Sequence, residues 1–304
     1  MPELPDVTVY VESLARHFGL RRLEGCRVRS PFLLRTADPP LAAAAGRTVT
    51  AFRRLGKRIV FVLEDGLFLV FHLMIAGRFK LRERGAPAAG KIDLAAFDFE
   101  NGTLLLTEAG TKKRASLHVV RGEAALAAHD PGGVDPLAAS AEEFAAALRS
   151  ENHTLKRALT DPRLFSGIGN AYSDEILHAA RLSPVKLTKR LTDAEAASLR
   201  EAARRVLEGW IERLRTETGG GFPEKVTAFR EGMAVHGRYG KPCPACGSSV
   251  QRIVYAENEA NYCAACQTGG KLLADRSLSK LFRGDWPKTL EEMEALRARP
   301  GASR

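Results

Sequence analysis

The cysteine spacing constrains this chain more than any other feature of its sequence. Four of the five cysteines form two Cys-x-x-Cys pairs, Cys243-Pro-Ala-Cys246 and Cys263-Ala-Ala-Cys266, with sixteen residues between them. This spacing is typical of a zinc ribbon, in which four thiolates surround one Zn²⁺ ion, and it is unlike a disulfide framework. A redox role is disfavoured because no thioredoxin-like βαβ pattern surrounds either pair. Since four thiolates leave no open coordination position, we predict one structural zinc ion that folds a small module.

Charge is the second constraint. The 304 residues include 46 Lys and Arg against 36 Asp and Glu, a net charge of +10. Such a surface favours a polyanionic partner, nucleic acid before an anionic membrane, although basic residues can also serve solubility alone. With 45% hydrophobic residues, the chain can bury the core of one large or two ordinary domains. These figures exclude a disordered or fibrous chain.

The hydrophobic pattern gives no sign of a membrane segment. No stretch approaches the roughly 18 uninterrupted apolar residues of a spanning helix. The first ten residues, MPELPDVTVY, also lack the basic-then-apolar layout of a signal peptide. We therefore expect a cytoplasmic protein with no membrane partner.

The period of the apolar residues changes twice along the chain. Between Val7 and Phe18 they recur at helical spacing, so a helix begins almost at the first residue. Residues 25–125 then contain short β-rich runs, such as RIVFVL, separated by turn signals. After the loop-like residues 130–136 the pattern becomes helical as far as Gly219-Gly-Gly221. This order predicts an α+β fold whose regions are residues 1–133, 134–232, 233–267 and a basic tail at 268–304.

The first residues can provide an unusual amine. Removal of the initiator Met1, which a small second residue generally permits, would leave the secondary amine of Pro2 at the tip of the first helix. The positive end of the helix dipole disfavours the ammonium form, so free base would be available near neutral pH. The amine could attack a sugar C1′ and form a Schiff base, with Glu3 moving protons to the opened sugar. The alternative is that proline near a helix start is an ordinary structural choice.

Two basic stretches follow β-rich runs. Lys57 lies in Arg53-Arg54-Leu55-Gly56-Lys57-Arg58, where the glycine favours a hairpin turn that could present the lysine to phosphates or to a leaving base. A solvated basic turn is an equally good interpretation. Lys112, Lys113 and Arg114 repeat this character after a later strand and favour a basic face on the sheet domain.

A glycine-containing segment opens one of the later helices. In Gly167-Ile-Gly-Asn170, backbone amides and the Asn170 side chain could face a phosphate at the helix N-terminus, with Lys156 adding charge. The simpler interpretation is that this segment only caps the helix.

Together and in this order, these residues resemble the formamidopyrimidine-DNA glycosylase and endonuclease VIII (Fpg/Nei) family of bifunctional base-excision repair enzymes. The resemblance covers about residues 2–267. It is carried by the PELPDV start, Arg-Arg-Leu-Gly before Lys57, His72-Leu-Met-Ile-Ala-Gly77, Leu155-Lys-Arg-Ala-Leu-Thr-Asp161, Gly167-Ile-Gly-Asn-Ala-Tyr-Ser-Asp-Glu175, Val235-His-Gly-Arg238 and the four paired cysteines.

The resemblance implies a fold and a DNA groove between two domains. Residues 1–133 would form a catalytic β-sandwich with flanking helices, and residues 134–232 would contain a helix-two-turn-helix. Residues 233–267 would form the Cys₄ zinc finger.

The resemblance also implies a reaction. Pro2 would attack C1′ of a flipped damaged nucleotide, Glu3 would donate a proton, and β- and then δ-elimination would cut the strand. Extruding the base costs a few kcal/mol, least for a damaged or unpaired base. Lys57 matches the family's hairpin lysine. The implied DNA-binding residues are His72, Ile75, Lys112, Lys113, Arg114 and the phosphate-binding pair Lys156 and Asn170.

The sequence departs from the family pattern at several places. Asn258 stands where the family usually has a phosphate-gripping arginine, which argues against efficient δ-elimination. Residues 109–114 replace the motif whose Arg and Phe fill the gap left by the flipped base, and Ile75 replaces the companion Met, although it could still insert. The segment 219–235 is short for the family's lid over 8-oxoguanine, so we expect an atypical set of lesions.

We therefore predict a monomeric, nucleoid-associated DNA glycosylase with AP-lyase activity, which acts on damaged duplex or single-stranded DNA and on AP sites. The alternative is a damaged-DNA or AP-site binding protein of the same fold with little or no base excision, because the lesion-reading parts have changed more than Pro2, Glu3 and Lys57. A third interpretation, a zinc-ribbon nucleic-acid binder without enzymatic activity, leaves the Pro2-Glu3 terminus unexplained.

Overall fold

The computed structural model of the chain describes residues 1–255, 258–273 and 287–298. The chain divides into two compact units. The first contains residues 1–133 and 207–228, and the second contains residues 134–206 and the chain from 229 onward. The predicted boundary at 133 coincides with the first division, while residues 207–228 join the earlier part of the chain.

The first unit is built on two four-stranded antiparallel sheets. One has the strand order β1-β6-β7-β5 and the other has the order β2-β3-β4-β8. The strands are β1 (Leu23–Val28), β2 (Val49–Leu55), β3 (Arg58–Leu63), β4 (Leu67–His72), β5 (Gly77–Arg82), β6 (Asp93–Phe99), β7 (Gly102–Glu108) and β8 (Ser116–Arg121).

The core of this unit lies between the two sheets. Phe71 of one sheet contacts Phe79 and Phe97 of the other, with ring centroids 5.3 and 5.1 Å apart. Helix α1 (Leu4–Phe18) adds the buried side chains of Tyr10 and Leu14 to the same core. Because alternate strand residues point to opposite faces, one face of each sheet supplies this core, and the fold is a β-sandwich.

The second sheet also has a covered outer face. Val60 and Val62 of β3 point away from the sandwich core and form a smaller apolar cluster with Leu126 of helix α2 (Glu123–Ala127). RIVFVL is therefore buried on both faces, which explains its unbroken apolar sequence.

The second unit is mainly helical. Its helices are α3 (Ala141–Ser150), α4 (Leu155–Thr160), α5 (Asn170–Ala179) and the first part of α6 (Asp193–Thr218), followed by the hairpin β9 (Val250–Tyr255) and β10 (Asn258–Cys263) and by α7 (Ala264–Thr268) and α8 (Leu290–Ala298). Helix α6 is continuous, and the division between the units falls inside it, at residue 207. The predicted α+β fold is thus present, with sheets first and helices after.

The chain beyond the last cysteine contributes to the second unit. Leu272 is buried with Ile253 and Tyr262 of the hairpin, and Leu290 and Met293 of α8 pack against this group. The backbone amide of Leu273 donates to the Tyr262 hydroxyl at 2.8 Å. The sequence predicted residues 268–304 only as a basic tail, because isolated apolar residues make these contacts.

Among the helices that the structure describes, none is both long and apolar enough to cross a membrane.

Candidate functional site

The start of the chain is buried and held by a capping box. Pro2 is buried, and Glu3, the N-cap of α1, is only 3% exposed. The backbone N–H of Glu3 donates to the Asp6 carboxylate at 2.9 Å, while the Glu3 side chain accepts from the backbone of Asp6. This reciprocal arrangement fixes the first turn, so Pro2 and Glu3 have defined positions.

The surroundings of the chain terminus disfavour a charged amine. Burial has the largest effect on the pKa of the Met1 amine and lowers it below its ordinary value. The charges of Glu3 and Asp6 raise this pKa, and those of Arg78 and Lys57 lower it. A larger fraction of the Met1 amine is therefore the uncharged free base near neutral pH than for an ordinary α-amine. The dipole argument from the sequence concerned the Pro2 amine and stays a prediction; for the Met1 amine, burial is the largest cause.

Lys57 occupies the hairpin between β2 and β3. Leu55 pairs with Arg58, so Gly56 and Lys57 form a two-residue loop. Gly56 has a φ of 59°, and a positive φ at the first loop position is what a type II′ hairpin requires. The turn places Lys57 close enough to the terminal amine to lower its pKa, which brings Lys57, Glu3 and the terminus into one group.

His72 ends β4 and pairs with Arg58, the residue after Lys57. Burial lowers the pKa of His72 to about 4, and the charges of Arg58 and Lys57 act in the same direction. The Nδ1 atom of His72 accepts from the backbone N–H of Met74 at 3.1 Å. The imidazole is thus neutral at pH 7 and carries its proton on Nε2, which leaves that atom a hydrogen-bond donor.

The tight turn after His72 presents Ile75 to solvent. Ile75 is 58% exposed. Met74 has a positive φ of 51°, an uncommon conformation for a non-glycine residue. At Gly77 an added Cβ would lie 2.2 Å from the carbonyl oxygen of Leu73, so the turn requires glycine there. A strained, well-held turn with an exposed apolar tip suits an inserting side chain.

The loop 109–115 is organised by a buried carboxylate. Glu108 is 1% exposed, and its carboxylate accepts from the backbone amides of Arg114 and Ala115 at 3.0 and 3.2 Å. The Lys113 ammonium donates to the Glu108 carbonyl oxygen. Lys112 and Arg114 are exposed, whereas Lys113 is part-buried, so the three basic residues do not present one uniform face.

In the second unit, Lys156 and Asn170 are brought together by helix α5. The Lys156 ammonium donates to the backbone carbonyl of Asn170 and to the Asp174 carboxylate, each at 2.6 Å. The Asn170 side-chain amide donates to the carbonyl of Glu259 at 3.0 Å. The N-cap of α5 is Gly169, with no side-chain capping bond, so the Asn170 side chain does not cap this helix.

Two acidic residues of α5 hold the segment 234–236. Glu175 accepts from the backbone amides of Ala234, Val235 and His236 at 2.7 to 2.9 Å. Asp174, whose side chain is fully buried, pairs with His236 Nδ1 at 2.8 Å as well as with Lys156. The motif Val235-His-Gly-Arg238 is therefore attached to the same helix as the Lys156 and Asn170 pair.

The four paired cysteines form a site that fits a zinc ion. Their sulfur atoms all lie within 4.8 Å of one another. The sulfur atoms of Cys246 and Cys263 are 3.4 Å apart, and those of Cys243 and Cys266 are 4.0 Å apart. Tetrahedral zinc with Zn–S bonds of about 2.3 Å requires sulfur atoms roughly 3.8 Å apart. The chain thus has a site for one structural zinc ion, as the cysteine spacing predicted.

A histidine of α5 contacts this metal site. His178 is buried, and its Nε2 lies 3.2 Å from the Cys243 sulfur. Burial lowers the pKa of His178, so the ring is neutral and has one N–H to donate. A thiolate that accepts such a hydrogen bond is held in the orientation that the metal needs.

Sequence reasoning did not find Arg78 and assigned no individual function to Asp174 or Glu175. Arg78 follows the quoted motif that ends at Gly77, and it donates to the carbonyls of Ile75 and Gly77 at 3.1 and 2.6 Å. Only its position directly after the motif could have indicated it. Asn258 is the first residue of β10, and its side chain lies outside the described residues.

Comparison with protein families gives matches over most of the chain. The formamidopyrimidine-DNA glycosylase N-terminal domain matches residues 1–113. The formamidopyrimidine-DNA glycosylase H2TH domain matches residues 133–219, and the zinc finger found in FPG and IleRS matches residues 240–269.

Individual proteins match over similar lengths. A formamidopyrimidine-DNA glycosylase of Solibacter usitatus is 33% identical over 286 residues, which are 88% of this chain and 99% of the relative. A formamidopyrimidine-DNA glycosylase-like protein of Mycobacterium tuberculosis is 40% identical over 151 residues, 50% of this chain and 94% of the relative. The solved complex between Lactococcus lactis Fpg and an abasic-site DNA superposes with a TM-score of 0.77 at 24% identity, covering 88% of this chain and 99% of that chain. These matches confirm the resemblance and the fold.

Proposed function

Since the chain belongs to the formamidopyrimidine-DNA glycosylase family, we propose that it removes damaged bases from DNA and cleaves the strand at the resulting abasic site. The relatives' names support the glycosylase activity. The lyase activity and its chemistry rest on the residues at the chain terminus.

One observation carries this proposal: the buried terminus whose surroundings lower the pKa of the amine. The charges of Glu3, Arg78 and Lys57 all act on the Met1 amine: Glu3 raises its pKa, and Arg78 and Lys57 lower it. A structural proline at a helix start would need none of these charged neighbours. The combination suits a neutral amine beside a carboxyl group that exchanges protons.

The reaction follows from these groups. After removal of Met1, the Pro2 nitrogen attacks C1′, and the glycosidic bond breaks with its electron pair passing to the base, which takes up a proton. The Pro2 nitrogen loses its proton, Glu3 protonates O4′ as the sugar opens, and an iminium links Pro2 to C1′. Loss of a C2′ proton then expels the 3′ phosphate, which is β-elimination. Lys57 would assist at the leaving base or at the adjacent phosphate.

DNA is the partner that this reaction requires. We propose that Lys156 and Asn170 bind backbone phosphate, and that His72 donates to phosphate through Nε2 without carrying charge. Ile75 would fill the space of the flipped nucleotide, with Lys112, Lys113 and Arg114 as nearby cations. Because an amide at position 258 offers phosphate no positive charge, we expect β-elimination to exceed δ-elimination.

The test is covalent trapping. The protein, with loss of Met1 verified by mass spectrometry, is incubated with an AP-site duplex and borohydride, and the gel is examined for a protein-DNA adduct. We expect an adduct in the wild type and none in Pro2→Glu, whose large second residue retains Met1 and so displaces the free amine. Lys57→Ala is the matched control, because it keeps the Pro2 amine and should still be trapped.

Two results would oppose the proposal. An adduct that persists in Pro2→Glu would assign the nucleophile to another residue. No adduct in the wild type, with AP-site binding intact, would favour the binding protein of the same fold.

A further inference from the structure

The outer face of the second sheet carries a cluster of basic side chains that the proposed reaction does not use. It comprises Arg35, Arg58, His118 and His129, and we call it the histidine cluster. We infer that the histidine cluster is a binding site for a phosphate group. The proposed function bears only on the source of that phosphate, which is either a phosphodiester of DNA or a free phosphate.

Strand register places these residues together. Arg58 of β3 shares the outer face with Val60, and His118 of β8 shares it with Val120. Strand β4 lies between them, since Arg58 pairs with His72 and His118 pairs with Val70. The two residues therefore extend from the same face across one intervening strand.

Two other segments complete the cluster. The backbone N–H of Arg35 donates to the carbonyl of Leu117 at 2.9 Å, which places Arg35 beside His118 along the edge of β8. His129 follows α2, and its ring centroid lies 4.6 Å from that of His118, with the ring planes 57° apart. Both histidines are part-buried.

The surroundings of the histidine cluster disfavour the charged forms of its side chains. Burial lowers the pKa of His118, and His129, Arg58 and Arg35 lower it further. Burial also lowers the pKa of His129, and the positive charge of Arg58 lowers it further. Burial lowers the pKa of Arg58 itself, and Asp130 acts in the opposite direction. Near neutral pH the two histidines are therefore uncharged in the unliganded protein, and a bound anion would favour their charged forms.

The chemistry favours phosphate over a metal ion. Two guanidinium groups repel a cation, while they offer several donors to a tetrahedral oxyanion. In the part of the chain that the structure describes, the four cysteines form the metal-ligand group, and the histidine cluster is not one. The outer face is also next to Lys57, the proposed hairpin lysine, because Lys57 precedes Arg58.

Binding should be coupled to protonation of the two histidines. A bound anion raises the pKa of His118 and His129, so the site takes up protons on binding, and affinity increases as the pH falls from 7.5 to 6.0. The neighbouring His72 does not contribute in this window because its pKa is about 4.

The experiment is a titration of the full chain followed by NMR of the histidine ring protons. The two probes, inorganic phosphate and an undamaged 20-base-pair duplex, are each tested at pH 6.0 and 7.5. We expect the His118 and His129 signals to shift, and the duplex affinity to be roughly tenfold higher at pH 6.0, as a pKa rise of about one unit at each histidine implies. Inorganic phosphate loses charge over the same pH range, so only the signal shifts are used for that probe. The double variant His118→Asn/His129→Asn should lose this pH dependence.

Matched variants separate the site from general charge. Arg35→Gln, an exposed position, should weaken binding of the active probe and reduce the salt dependence of duplex binding by about one ion. Arg121→Gln removes an exposed arginine at the other end of β8 and should leave the histidine signals unchanged. Melting temperatures of all variants would verify that they fold.

The outcomes identify the source or reject the site. Shifts with the duplex would assign it to DNA, and shifts with inorganic phosphate alone would assign it to a free phosphate. If neither probe moves the His118 and His129 signals, or if Arg35→Gln binds like the wild type, the inference is wrong. Because the readout needs no base excision or lyase chemistry, it is independent of the trapping experiment above.

Discussion

His72 shows how burial can change the chemistry of a single residue. In isolation its imidazole would be partly charged near pH 6.5, but the fold holds it neutral beside Arg58 and Lys57. The hydrogen bond from the Met74 amide to Nδ1 leaves the proton on Nε2. A residue that looks like another cation in the sequence is therefore a neutral donor in the folded protein.

This neutral state predicts a pH dependence of stability. Because the folded pKa of His72, about 4, lies below the ordinary 6.5, the unfolded chain binds more protons between these values, and stability falls as the pH decreases through this range. For His72 alone the loss from pH 7 to pH 5 should be about 2 kcal/mol. Urea unfolding of the wild type and His72→Gln at both pH values measures it.

The glutamine can accept the same amide bond without titrating, so His72→Gln should lose less stability on acidification than the wild type. Equal losses in the two proteins would show that other groups carry the effect.

Single residues also mark the limit of prediction from the sequence. Pro2, Glu3 and Lys57 could be singled out because their types and positions are unusual near a helix start and a hairpin turn. The sequence offered phosphate binding or helix capping for the Gly167–Asn170 segment. In the structure the Asn170 side-chain amide donates instead to the backbone carbonyl of Glu259, 89 residues away. Such long-range partners cannot be read from local spacing.

At the scale of elements, helix α5 connects the second unit's main features. Asn170, Asp174 and His178 are spaced four residues apart and so lie along one face. Asn170 contacts the carbonyl of Glu259 in the finger hairpin, Asp174 contacts His236, and His178 contacts Cys243. The sequence predicted this helix and the metal module separately. Their connection required three contacts across more than 60 residues.

The contact between His178 and Cys243 predicts slower release of zinc than four cysteines alone would give. His178→Phe keeps an aromatic ring but removes the N–H donor, and we expect zinc affinity to fall by roughly tenfold or more. Equilibrium competition with a chromogenic chelator measures the affinity, and the rate of zinc transfer to the chelator measures the release. His17→Phe alters a histidine of the first unit and should transfer zinc like the wild type. An unchanged rate in His178→Phe would show that this hydrogen bond does not support the metal site.

At the scale of the whole molecule, the metal and the sandwich core belong to different units. All four cysteines lie in the second unit, whereas the aromatic cluster around Phe71 lies in the first. The change of sequence period near residue 133 led us to expect a sheet region followed by a helical one. It could not predict that residues 207–228 belong with the sheets, because helix α6 has no break where the units divide.

Zinc removal should therefore affect the molecule unevenly. After chelation we expect faster amide hydrogen exchange in residues 240–255, 258–270 and 234–236, because the thiolate site and the contacts around it organise these segments. Strands β3, β4 and β7 should keep their protection. Hydrogen exchange with mass spectrometry, before and after chelation, tests this. Equal loss of protection in both units would contradict it.

The return of residues 207–228 to the first unit has a consequence for how the protein is made. The rings of Phe222 and Tyr10 pack with their centroids 5.8 Å apart, and an Arg215 guanidinium nitrogen lies 2.6 Å from a Glu12 carboxylate oxygen. Val226 is buried in the sandwich core. A nascent chain that has emerged only to residue 133 lacks all three partners. The contacts of the first unit are therefore complete only after residues 134–206 of the second unit have been synthesised.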